Sequence, residues 1–77
     1  MALITRFVQV TKSGQGVHGP VECGYTAFER HGRRYLLLET YGSNQRQMPG
    51  KVSQSIQLDS AGARRLMRIL SDTFMRD

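Results

Sequence analysis

The chain has 77 residues, and its eleven Lys and Arg against six Asp and Glu give a formal net charge of +5 and a pI of about 10.2. So short a chain forms one domain, residues 1–77, whose core is near the smallest that folds without help, and its one cysteine excludes an internal disulfide and a structural zinc site. No leader-like segment and no apolar run of the roughly 20 residues that cross a bilayer are present, so we expect a cytoplasmic protein without membrane association.

The basic side chains are mostly arginine, with two lysines only. Arginine presents a planar fork that binds phosphate through two hydrogen bonds and stacks on flat rings. This balance favours an anionic partner, with nucleic acid first. The alternative is that the charge serves solubility alone.

The first half of the chain predicts strands. Residues 2–10, ALITRFVQV, are β-branched and aromatic, and residues 11–20 form a connection with three glycines and a proline. Residues 21–42 predict a β-hairpin in which His31 and Gly32 form a two-residue turn, with His31 at positive φ. Residues 52–59, VSQSIQLD, predict a further strand.

The C-terminal segment predicts an amphipathic helix. Asp59 or Ser60 is suited to cap its N-terminus. Apolar residues then recur at helical spacing, and they are Ala63, Leu66, Met67, Leu70 and Phe74, with Ile69 beside them. Arg64, Arg65, Arg68 and Asp72 fall on the solvent side. The predicted order is therefore four strands followed by one helix (ββββα), which is an α+β fold class.

The predicted turn determines which hairpin residues share a face of the sheet. Arg30 then lies opposite Arg33, and opposed residues of an antiparallel pair point to the same side. The first face, called the aliphatic face, holds Cys23, Tyr25, Ala27, Leu36, Leu38 and Thr40 and suits packing under the helix, which would bury Cys23. The second, called the aromatic face, holds Thr26, Phe28, Arg30, Arg33, Tyr35, Leu37, Glu39 and Tyr41.

The aromatic face alternates rings with arginines, which is typical of surfaces that stack single-stranded bases beside bound phosphates. A helix covers one face of a single sheet only, so this face must be solvated, bound or paired. Three alternatives stay open. A second subunit or the first strand covers Phe28, Tyr35 and Leu37, or a register slip of one residue exchanges the two faces.

The connection between the third and fourth strands is too long for a tight turn. Within residues 40–59, Pro49 and Gly50 predict a bend and Lys51 returns to the sheet. As an extended arm, it would place Arg46 and Lys51 on phosphates, while Asn44, Gln45 and Gln47 donate hydrogen bonds without regard to sequence. The alternative is a solvated loop without a role.

The segment GRRYLLLETYGSNQRQMPGKVSQSIQLDSAGARRLMRIL resembles the C-terminal domain of the eukaryotic transcriptional positive cofactor four and its bacterial relatives. Shared elements are Glu39 and Tyr41 at the end of a strand, Met48-Pro49-Gly50-Lys51 in an arm, Ile56-Gln57-Leu58 in the next strand, and Asp59 before the helix. Pro49 follows Met48 without the residue that the family places between them.

The resemblance implies a curved four-stranded antiparallel sheet followed by one helix. It also implies a homodimer that binds single-stranded DNA or melted duplex DNA, in preference to RNA, without strong sequence preference, as a transcription coactivator does. It also implies that Arg33 and Arg34 follow the hairpin turn and that Lys51 is the basic residue of the arm. Together with the aromatic face, the expected nucleic-acid-binding residues are Phe28, Arg30, Arg33, Arg34, Tyr35, Tyr41, Arg46 and Lys51.

Catalysis has little support in the sequence. His18 and His31 lie in glycine-containing turns, and no Ser-His-Asp or Cys-His set can be assembled with Cys23 on the aliphatic face. We therefore expect no enzyme activity, no cofactor, no metal and no small-molecule substrate. The competing interpretation is a small dimeric protein-interaction module that uses the aromatic face or Met67, Phe74 and Met75 of the helix.

Overall fold

The computed structural model describes residues 1–42 and 51–76. Four strands precede one helix, namely β1 Ala2–Ile4, β2 Cys23–Arg30, β3 Arg33–Thr40, β4 Gln54–Leu58 and α1 Ser60–Phe74. The strands form one sheet in the order β1-β4-β3-β2. This arrangement confirms the predicted ββββα order and the α+β class.

The β2–β3 hairpin has the predicted turn and register. His31 has φ of 53° and Gly32 has φ of 77°, and positive φ at both loop positions is the signature of the type I′ turn that matches the twist of paired strands. Arg30 pairs with Arg33, and the ladder continues without a slip to Cys23 and Thr40. The two faces therefore have the composition deduced from the sequence.

The first strand differs from the prediction in length and direction. Only Ala2–Ile4 of residues 2–10 is a strand, and it runs parallel to β4 with Ile4 beside Leu58, so the sheet is mixed rather than wholly antiparallel. β1 therefore also runs in the same direction as β2, which lies at the other edge of the sheet, and a connection between parallel strands needs about a dozen residues or more. Residues 5–22 provide that length, since they carry the chain from one edge of the sheet to the other.

The fourth strand is antiparallel to β3, with Leu58 paired to Leu36 and Ile56 to Leu38. Beyond the last pair, the Ser53 amide donates to the Thr40 carbonyl at 2.8 Å and closes the base of the predicted arm. Residues 43–50 of the arm lie outside the described residues.

The helix begins where the sequence predicts, with Asp59 as the N-cap. The Asp59 carboxylate accepts a hydrogen bond from the Gly62 amide at 2.7 Å, which satisfies one of the amides that a helix start leaves without an internal partner. Gly62 is buried, and a Cβ built on it would lie 3.0 Å from the Ile4 carbonyl oxygen and 3.7 Å from Leu58. The first helical turn is thus pressed against the ends of β1 and β4.

The core is small. Leu58, which is 3% exposed, is the buried hydrophobic residue of the described chain, and the helix packs mainly against its strand, β4. The helix was predicted to cover the aliphatic face, and away from Leu58 this prediction is wrong. Tyr25 of that face is 78% exposed, and Met67 and Phe74 of the helix are 67% and 72% exposed. Among the described residues, no helix is both long and apolar enough to cross a membrane.

Candidate nucleic-acid interface

A pair of aromatic rings marks the aromatic face near the hairpin turn. Phe28 and Tyr35 are directly opposed across β2 and β3, and their ring centroids are 5.4 Å apart with an interplanar angle of 22°. Both are half-buried, and the stacked arrangement is one that aromatic pairs prefer. Part of each of these two residues therefore stays accessible to solvent.

Two arginines lie beside this pair, on the turn side. Arg30 and Arg33 are opposed to one another on the same face and are both exposed. Like charges directly opposite each other destabilise a sheet. A phosphate between the two guanidinium groups would replace that repulsion with two charge-assisted hydrogen bonds.

Tyr41 lies at the other end of the aromatic face. Its ring covers Gly24, where a Cβ would come within 2.8 Å of the Tyr41 hydroxyl oxygen. The Tyr41 amide also donates to the Glu22 carbonyl at 3.2 Å and extends the β2–β3 ladder. Gly24 is therefore the residue that makes room for this ring, a role that the sequence did not indicate.

The helix does not cover the aromatic face at the point where it meets the sheet. Its first turn contacts Leu58, and Leu58 is in register with Leu36 on the aliphatic face. Since neighbouring residues of a strand point to opposite sides, Tyr35 points away from this contact. The arrangement that would contradict a binding surface here, with the rings beneath the helix start, is not observed.

The remaining predicted residues lie apart from the ring pair. Arg34 pairs with Glu29 on the aliphatic face, although it is exposed at the turn end of β3. Lys51 is exposed and precedes β4 at the opposite end of the sheet, beyond Thr40, which is itself about 23 Å along β3 from Arg33 at 3.3 Å per residue. Arg46 lies outside the described residues.

The structure also brings together residues that the sequence placed apart. Arg33 and Arg34 border a cleft of about 370 Å³ whose opposite wall is the start of the helix, and its lining is completed by Asp59, Ser60, Ala61 and Arg64. The helical spacing predicted Arg64 on the solvent side of the helix, and Arg64 was not among the predicted binding residues. Its approach to the hairpin follows from the immediate passage of β4 into α1, which no local pattern reveals.

The cysteine is not where the sequence placed it. Cys23 is exposed at the start of β2 rather than buried, because the helix does not extend over that part of the aliphatic face. Across residues 1–42 and 51–76, no three His, Cys, Asp or Glu side chains gather where they could hold a metal ion.

The family resemblance and the binding residues inferred from it remain predictions. Comparisons of the chain with protein-family models, with curated proteins and with solved structures gave no match.

Proposed function

We propose that this protein binds single-stranded nucleic acid, DNA in preference to RNA, through the aromatic face. The bases stack against Phe28 and Tyr35, Tyr41 extends the stacking surface, and Arg30 and Arg33 neutralise phosphates at the turn end of the hairpin. The arm, with Arg46 and Lys51, holds the strand at the other end. The preference for DNA, a role in transcription and a cytoplasmic location are expectations from the resemblance and the composition.

One observation carries this proposal, the stacked Phe28–Tyr35 pair directly beside the opposed Arg30 and Arg33. Base stacking on an aromatic side chain contributes on the order of 1–3 kcal/mol per base and depends little on base identity. Arginine contacts to phosphates add an affinity that falls as salt rises. The combination is suited to a flexible single strand, whose bases are free to leave their own stack.

We further propose that the protein acts as a homodimer. The exposed helical residues Met67, Leu70 and Phe74 recur at i, i+3 and i+7, which is the spacing of a stripe that packs against a partner. A second copy is the simplest source of the apolar surface that so small a core lacks. The aromatic faces of the two copies then remain free for the strand.

The test is a binding titration of a labelled oligonucleotide as single-stranded DNA, duplex DNA and single-stranded RNA at two salt concentrations. We expect the tightest binding for single-stranded DNA and a loss of affinity with salt that reflects several phosphate contacts. No binding of any of the three at low salt would overturn the proposal.

Two substitutions separate stacking from charge. Tyr35→Ala should weaken binding of single-stranded DNA by roughly 1–3 kcal/mol with little change in the salt slope. Tyr25→Ala is the matched control, since Tyr25 is exposed on the aliphatic face, and it should leave binding unchanged. Equal effects of the two substitutions would contradict stacking on the aromatic face.

Arg33→Ala should act on the salt dependence instead. Loss of one phosphate contact lowers the slope of log affinity against log salt by about one unit or less. Arg68→Ala removes the same charge from an exposed helix position and should leave the slope unaltered. If both variants lower the slope equally, net charge rather than a defined contact is responsible.

The second candidate function is a protein-interaction module. The exposed Met67, Phe74 and Met75 favour it, because methionine and aromatic side chains adapt to varied apolar partners. It differs from the first in its response to salt. An apolar protein interface keeps its affinity as salt rises, whereas phosphate binding does not.

A further inference from the structure

The cleft between the hairpin turn and the start of the helix is lined by more positively charged than negatively charged side chains. Arg33, Arg34 and Arg64 border it, and Asp59 contributes the one carboxylate among its lining residues. One oxygen of that carboxylate already accepts from the Gly62 amide. None of the three arginines forms an ion pair with another described residue.

The strand register and the helix position place these three residues around the same cleft. Leu36 pairs with Leu58, so Arg34, two residues before Leu36, reaches the level at which β4 ends and α1 begins. Arg64 follows on the second turn of the helix and faces the same space. Three arginines from two separate elements thus line one cleft of about 370 Å³.

The chemistry of this cleft selects a phosphate group. Several arginine forks around one tetrahedral anion give multiple charge-assisted hydrogen bonds, each stronger than a neutral one. The mutual repulsion of the arginines in the free protein is relieved at the same time. An uncharged ligand would relieve none of it.

We propose that this cleft binds a phosphate group of the strand whose bases stack on Phe28 and Tyr35. Arg33 connects the two sites, since it lies on the aromatic face beside that pair and also borders the cleft. The strand therefore leaves the aromatic face at the hairpin turn and places a phosphate between Arg34 and Arg64. This inference rests on the proposed function and adds to it a site, with Arg64 as a binding residue.

The test is an NMR titration of the isotope-labelled full chain, followed at the Arg64 side-chain NH and the Ala61 amide. The ligands are inorganic phosphate and one short single-stranded DNA prepared with and without a 5′-phosphate. We expect all three to shift these signals. Tighter binding of the 5′-phosphorylated strand assigns a terminal phosphate to the cleft, and equal binding assigns a backbone phosphate.

Arg64→Gln is the decisive variant, and Arg68→Gln is its matched control. Both residues are exposed on the same helix, but Arg68 does not line the cleft. Arg64→Gln should weaken binding of inorganic phosphate about tenfold, as loss of a hydrogen bond between charged groups does, and should lower the salt slope for DNA by about one. Arg68→Gln should change neither.

The outcomes separate this site from the proposed function. If the wild type binds single-stranded DNA and the two variants behave alike, the cleft is not a phosphate site while the proposed function stands. If the wild type binds no DNA, the proposed function and the path of the strand through the cleft both fail. Tyr35→Ala should leave the shifts caused by inorganic phosphate intact, because Tyr35 does not line the cleft.

Discussion

At the scale of single residues, stability is concentrated in one leucine. Leu58 is buried where β1, β3 and α1 meet, so Leu58→Ala removes apolar contacts on several sides and should lower the free energy of unfolding by about 2–5 kcal/mol. Leu38 is half-buried in the neighbouring strand, and Leu38→Ala should cost roughly half as much. Chemical denaturation of both variants gives the comparison, and a larger cost at Leu38 would contradict this assignment of the core.

Single residues also show which features of the site could be predicted from the sequence. The positions of Phe28, Tyr35, Arg30 and Arg33 on one face follow from a turn whose two residues are read directly from the chain. Burial of Cys23 was predicted wrongly, since exposure depends on how far the helix extends over the sheet. The contribution of Arg64 to the cleft was also missed, because it depends on where a distant hairpin ends.

At the scale of elements, the hairpin turn fixes the register on which the site depends. Gly32 has φ of 77°, a conformation that costs about 1–2 kcal/mol for residues with a Cβ. Gly32→Ala should therefore destabilise the protein by about that amount, although a Cβ there would meet no neighbour within 4 Å. Thermal unfolding measures the change.

The control for this substitution is His31→Asn. Asn-Gly is the preferred pair for a type I′ turn, and His31 already has φ of 53°, so this variant should be as stable as the wild type or more stable. A loss of stability in His31→Asn equal to that in Gly32→Ala would show that the backbone conformation is not the cause.

Elements with local signals were predicted correctly, whereas the length and direction of an element defined by a distant partner were not. The helix has its own cap and its own periodicity, and the β2–β3 hairpin has its own turn. The three residues of β1 are a strand only because β4 presents a free edge beside them, and its parallel direction depends on the long crossover of residues 5–22. No pattern within residues 2–10 contains that information.

At the scale of the whole molecule, the described chain leaves several large apolar side chains exposed and has a small buried core. Leu58 is buried, whereas Tyr25, Met67, Leu70 and Phe74 are exposed. Folding must offset the conformational entropy lost by each ordered residue, and among the described hydrophobic residues Leu58 alone is buried. This imbalance is the physical reason to expect that folding and dimerisation are coupled.

The dimer is tested by placing a charge on the exposed stripe of the helix. Met67→Glu should convert a species of twice the 8.7 kDa monomer mass into a monomer in sedimentation experiments, because a buried carboxylate without a partner is costly at an apolar interface. Arg65→Gln lowers the net charge by the same one unit from the opposite side of the helix and should remain dimeric. The unfolding temperature of the wild type should also rise with protein concentration. A wild type that sediments as a monomer at every concentration, with a constant unfolding temperature, would mean that the single chain is stable by itself.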